Sequence, residues 1–308
     1  MSVVSHKSVV KKSNVIKAPF GDKVLYVTSN VILGLFSLIV LLPLINVVAS
    51  SFSSARAVNF GEVLFWPVEP SVEGYKLAFS YRNFWRCFLN SVGYTVGGTI
   101  INISITMICA YPLARKTLPF RGVIMGAMMF STMFGGGLIP TYLLNKSLNL
   151  VNNPLVLILP GAMSVHNMII ARTFIDGIPH ELEEAAHIDG CSDFRFFFDC
   201  VIPLSKTVMA VLCLYYAVGH WNSYFQAFIY LSDELTWPLQ MILRAVLNSA
   251  SVSTAAVGTN QEDMLNNQSM MDLMRYAMIV VSSVPILIVY PWVKKYFMKG
   301  VMIGSVKG

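Results

Sequence analysis

Six stretches of this chain carry no Asp, Glu, Lys or Arg: roughly residues 24–54, 87–114, 122–145, 147–171, 207–232 and 276–293. Each is about as long as a helix needs to be to cross a bilayer core, about 20 residues. A charge at the centre of such a helix costs about 2.5–3.5 kcal/mol, so runs this long and this free of charge point to lipid as their surroundings. The expected fold is an all-α polytopic membrane protein with six transmembrane helices. Composition agrees, with 55% hydrophobic and only 12% charged residues, where a soluble domain has about a quarter charged. The expected layout is a tail over 1–23, a six-helix domain over 24–298 and a second tail over 299–308.

Basic residues set the orientation. With the N-terminus inside, the inner segments hold fifteen of the 22 Lys and Arg, and the outer segments hold seven, including Lys76, Arg86, Arg244 and Arg275. Both termini, and the charged segment at 173–206, are therefore expected in the cytoplasm. The net charge of +6 is a topology signal here and gives no reason to expect nucleic acid. The first apolar run is longer than a signal-peptide core and is expected to be retained as a helix. The five cysteines have no C-x-x-C spacing, so neither a disulfide framework nor a zinc site is expected.

Polar and small residues inside the runs suggest local roles. Gly93 and Gly97 form a small-xxx-small pair suited to close helix packing. Gly135, Gly136 and Gly137 precede Pro140 in the third run. They are compatible either with a bend lining a pathway or with tight packing. In the fifth run His220-Trp221-Asn222-Ser223-Tyr224 is the most conspicuous polar-aromatic cluster. Aromatic faces stack on sugar rings and amides bond hydroxyls, so the cluster suits a carbohydrate path; it equally suits hydrogen-bonded glue between helices. Between the fifth and sixth runs lies a polar outer loop in which 238–247 reads as a short amphipathic piece.

The segment 173–206 is the most charged internal part of the chain. Pro179 is expected in a first helical turn, with Glu181, Glu183 and Glu184 at the positive end of the helix dipole. Ile178, Leu182, Ala185 and Ala186 make one apolar stripe. Gly190 is placed to end that helix in a left-handed cap, and Ser192 or Asp193 to cap the next. Phe194, Phe197, Phe198 and Val201 are expected to form a membrane-facing edge.

Glu184-Ala185-Ala186, Asp189-Gly190 and, thirteen residues beyond that glycine, Pro203 resemble the cytoplasmic "EAA" signature of ABC importer permeases. Cys191, Cys200 and Ile202 stand where that family commonly has Ala, Ile and Leu. The six runs, the His220–Tyr224 cluster and the tail Lys299-Gly300-Val301-Met302-Ile303-Gly304 are similar to carbohydrate-importer permeases of the maltose class. Gly136-Gly137-Leu138-Ile139-Pro140-Thr141-Tyr142 and Ile158-Leu159-Pro160-Gly161 resemble the branch importing uronate-containing or other complex oligosaccharides. The resemblance implies a type I ABC importer permease fold in a bacterial cell membrane. It also implies a second homologous permease as heterodimer partner, two ATP-binding subunits and an extracellular solute-binding protein. By the same resemblance Glu184, Ala185, Ala186, Asp189, Gly190 and Pro203 form a coupling helix and its exit. His220, Trp221, Asn222, Tyr224, Gly136 and Gly137 are the substrate-pathway candidates.

Energy must come from outside this chain. Only His166 and His220 could titrate within the runs, whereas ion-coupled carriers usually need intramembrane charge. No G-x-x-x-x-G-K-[ST] phosphate loop occurs, so ATP and magnesium are expected on a partner ATPase. No catalytic or metal-ligand constellation is present, and an enzyme is not expected. Two other readings stay open on these residues: a permease for a non-sugar solute, and a membrane scaffold that docks a soluble partner without transport.

Overall fold

The computed structural model describes the backbone of residues 20–252 and 261–304, and the side chains of 21–248 and 269–291. Residues 1–19 of the N-terminal tail, the 253–260 part of the outer loop, and the side chains of the basic C-terminal tail lie outside the described residues. What is described is helical, without strands. The helices are α1 (Phe20–Ser51), α2 (Ala55–Asn59), α3 (Glu73–Ser80), α4 (Phe84–Ala114), α5 (Arg121–Met133) and α6 (Leu138–Ser147). They continue as α7 (Val165–Asp176), α8 (His180–Ile188), α9 (Asp193–Phe196), α10 (Ile202–Leu204) and α11 (Lys206–Trp221). The series ends with α12 (Tyr224–Tyr230), α13 (Leu239–Val252) and α14 (Gln261–Gly304).

Among the described residues three helices are long and apolar enough to span a bilayer: α1, α4 and the Ser269–Pro291 part of α14. Counting each of two bent pairs as one span gives at most five. α5 and α6 meet at 115° across the three glycines, where Gly137 has φ +79°. No heavy atom lies within 4 Å of where a Cβ would stand on Gly135 or Gly137, and on Gly136 only Pro140 Cβ does, at 4.0 Å. These glycines therefore make a bend, and not a tight helix contact within the chain. The second pair, Asp193–Leu204 with Lys206–Trp221, bends by 78° at the buried Ser205.

The uncharged run at 147–171 is not one helix. Asn149 and Asn152 have positive φ, Pro154–Leu157 is a 3-10 turn capped by the Asn153 side chain, and α7 begins only after Ser164. Asn tolerates left-handed backbone and caps turns, and Pro154 removes a donor. Local chemistry overrides hydropathy here. The expected amphipathic piece is α13, but it is drawn into the bundle, with Leu239, Ile242 and Val246 buried against Phe84, Trp221, Ala277 and Met278.

α4 is the central strut, packed against α7 and α11. Its register against α11 is held by two polar rungs one helical turn apart. Asn102 Nδ2 lies 3.0 Å from His220 Nε2, and Thr106 Oγ1 lies 2.6 Å from the Tyr216 hydroxyl. All four side chains are buried. The expected close-packing pair Gly93 and Gly97 has no such role within this chain, since nothing lies within 4 Å of either Cβ position. The close approach is at Gly98, where an added Cβ would stand 2.5 Å from His220 Nε2. Below the rungs, Met107, Ala110, Met168, Ala171, Phe196, Val201 and Leu212 close an inner core. α1 is different: residues 21–44 are exposed throughout, and only its C-terminal end is buried.

Gly98→Ala should displace the His220 ring and lower stability by about 1–3 kcal/mol. Gly97→Ala should be nearly silent. Thermal unfolding of the two variants in detergent distinguishes them, and equal melting would disprove the close contact.

Candidate functional site

α8 is a short helix on a loop between the bundle's α7 and α11. Its start is one residue later than expected, because Pro179 has extended ψ (131°) and serves as N-cap. Its end is the expected one: Gly190 has φ +76°, its N–H donates to His187 O, and Cys191 N–H donates to Ala186 O. A left-handed residue just past the last turn lets the final carbonyls find donors. Ser192 then caps α9, its Oγ accepting from Arg195 N–H.

The apolar stripe divides. Ile178 and Ala186 pack against the inner core, while Leu182 and Ala185 remain exposed. Glu184, Asp189, Gly190 and Pro203 are also exposed. Ile188, at 86% exposure, is the most exposed large apolar side chain among the described residues. The four residues expected to form one edge likewise divide. Phe197 and Val201 turn into the core, and Phe194 and Phe198 stay outside, their ring centroids 4.8 Å apart. The cause is a π turn over Phe197–Val201, which changes the side-chain period within this segment.

What holds α8 in place is Arg115, just past the end of α4. Its guanidinium lies 2.8 Å from Glu183 Oε1 and 2.8 Å from Asp193 Oδ1. It also donates to the Tyr111 hydroxyl and sits over that ring. His187 Nε2 adds contacts of 3.8 Å to Glu183 and 3.4 Å to Asp193. One cation at the negative end of α4 thus meets two carboxylates at the positive ends of α8 and α9. Partial burial opposes the Arg115 charge, but the hydrogen bond to Asp193 and the nearby Tyr111, Glu183 and Asp193 outweigh it and raise its pKa above the usual guanidinium value. Arg172 Nε donates to the Leu113 carbonyl, satisfying another orphan group at the end of α4. In the sequence Arg115 counts only as an inside charge. The available signal is the Arg115-Lys116 pair that ends an uncharged run, together with a later loop carrying acids at two helix starts.

The pathway candidates do not form one cluster. His220 and Trp221 are buried inside this subunit, with Trp221 Nε1 donating to Ser282 O at 2.8 Å. Asn222, where α11 breaks, and Tyr224 are exposed. Gly136 and Gly137 lie at the exposed α5–α6 bend, which is tied to α12 by the stacked rings of Tyr142 and Tyr230, 5.8 Å apart.

Comparison with known proteins bears on the whole chain. The family described as binding-protein-dependent transport system inner membrane component matches residues 15–303. Protein LplC of Bacillus subtilis is 39% identical over 288 residues, covering 94% of this chain and 96% of that protein. The polygalacturonan/rhamnogalacturonan transport system permease protein YtcP of the same organism is 39% identical over 274 residues, covering 89% and 95%. Among solved structures, a bacterial ABC transporter involved in import of the acidic polysaccharide alginate superposes with a TM-score of 0.81 at 31% identity. The match covers 91% of this chain and 99% of that one.

Arg115→Gln should leave Glu183 and Asp193 facing one another without their cation. Backbone amides of 180–193 should then exchange on the order of tenfold faster, about 1.4 kcal/mol, while α4 and α11 stay protected. Unchanged exchange would mean that apolar packing alone holds the loop.

Proposed function

Because this chain belongs to the family of binding-protein-dependent transport system inner membrane components, a family of transport subunits rather than enzymes, we propose that it is the permease subunit of an ATP-driven importer for oligosaccharides in a bacterial plasma membrane. The observation that carries the reading is α8. It is a short helix that offers Leu182, Ala185 and Ile188 outward while Arg115 braces it from behind. Three apolar residues spaced i, i+3 and i+6 along one exposed helix face suit docking to a soluble partner. In this reading that partner is an ATPase subunit, which binds ATP and magnesium. Glu184, Ala185, Ala186, Asp189 and Gly190 shape the contact, and Pro203 lies where the chain turns back towards the bundle. ATPase closure pushes α8. Arg115 passes the displacement to α4, and the two rungs pass it to α11, so the inner halves of the spans move together in alternating access. A second permease, a second ATPase subunit and an extracellular solute-binding protein complete the assembly.

The cargo rests on the relatives, whose names give polygalacturonan, rhamnogalacturonan and alginate as transported material. ATP hydrolysis by the purified assembly in lipid, with its binding protein, should rise when an oligosaccharide from a panel of neutral and uronic sugars is added. No rise with any sugar, with the complex intact, would favour a different solute or a scaffold. Separately, Gly190→Leu forces a branched side chain into left-handed backbone, at a cost of about 1–2 kcal/mol. It should abolish uptake while the complex still inserts; normal uptake would refute coupling through α8.

A further inference from the structure

We propose that Arg244 is an anion-recognising residue for the cargo, so that this subunit reads the carboxylates of acidic oligosaccharides. The inference rests on the importer reading above. Arg244 lies on α13, and its guanidinium carbon is 5.0 Å from the Tyr224 ring centroid and 4.7 Å from that of Phe228. Those two rings sit one turn apart on α12, and both are exposed, as is Phe225 beside them.

Arg244 is half-buried, unlike Arg56, which lies exposed over the Phe60 ring and, among the described residues, also meets no acid. Each of the other cations that pairs with an acid does so near a helix end or along one helix, as Arg115 does with Glu183 and Asp193, and Arg275 with Asp272. Among the described residues Arg244 meets no carboxylate and donates no hydrogen bond. It nevertheless sits on a helix whose other faces are packed into the apolar bundle. A cation on such a helix is costly unless it finds a counter-charge or water. Aromatic contact orients the guanidinium and offsets part of that cost. It leaves the planar N–H donors, which match a carboxylate bidentately, without an acceptor.

The ligand that fits is a uronate. Its carboxylate would take the guanidinium edge, and its ring could lie against Tyr224, Phe225 or Phe228. A neutral sugar would gain the stacking but would leave the arginine unpaired. The position of the site follows from the chain path. Tyr224 is the first residue of α12, directly beyond the break at Asn222–Ser223, so the cation stands beside the break between α11 and α12. Broken helices at membrane depth are tolerated inside protein or beside water, and in transporters they form binding sites.

The test uses the complete importer in proteoliposomes with its binding protein. The probes are trigalacturonate and the same trisaccharide with every carboxyl methyl-esterified. In Arg244→Gln, uptake of trigalacturonate should fall at least tenfold, Arg244→Lys should recover part of it, and transport of the ester should change less than twofold. Direct titration of both probes into the detergent-solubilised complex without binding protein should show the same preference, lost in Arg244→Gln; this covers the case of a binding protein that rejects the ester. Equal loss for both probes, or loss of the second permease on purification, would overturn the proposal by making Arg244 a packing or subunit-contact residue. So would unaltered trigalacturonate uptake. If the unmodified complex responds to no sugar at all, the importer reading itself fails.

Discussion

Two hydrogen-bonded rungs fix α4 against α11, and the helices around them build on that register. In an apolar medium a helix gains little by burying leucine against leucine, because lipid is equally apolar. Register must come from shape and polar pairing. Asn102 with His220, and Thr106 with Tyr216, supply the pairing, while Gly98 supplies the shape by letting the imidazole approach the α4 backbone. Tyr216 also accepts from Ser164 N–H, so the chain just before α7 is fixed to the same rung. The inner core and the brace on α8 both build downward from that registered pair.

The brace is a different kind of contact, since it sits at a helix end. Arg115 is 17% exposed by side chain, Glu183 26% and Asp193 60%. Exposed ion pairs contribute little singly, but here one guanidinium joins carboxylates from two helix starts to the Tyr111 hydroxyl of α4. Phe196, Phe197 and Val201 bury beside it, so polar and apolar anchoring of the loop coincide. The outcome is a loop that leaves the bundle and returns within about thirty residues, anchored by both kinds of contact.

How much of this is legible in the sequence depends on whether backbone or hydropathy decides the outcome. The α8 loop can be read nearly residue by residue, because caps and left-handed glycines leave local signatures: Gly190 and Ser192 do what their types predict. The run at 147–171 reads as one helix and is not one, because hydropathy says nothing of Asn149 and Asn152 in left-handed backbone. Spacing assigns the glycine contact to Gly93 and Gly97, whereas which side of α4 meets His220 is a tertiary fact that selects Gly98. Arg115 and Arg244 both count in the sequence only as topology charges. Their neighbours, Asp193 and Tyr224, lie far from α4 in one case and on another helix in the other, and no pattern within one segment joins them.

The same rungs also set a timetable. They connect positions 118 and 110 residues apart in sequence. During synthesis α4 emerges long before α11, and at typical rates of about 5–20 residues per second the interval is on the order of ten seconds. Throughout it Asn102 and Thr106 lack the partners that later bury them. For that interval α4 stands with two polar side chains still unpaired. The final register of the subunit is therefore written late, when the fifth charge-free run arrives, and the early chain must be held without it.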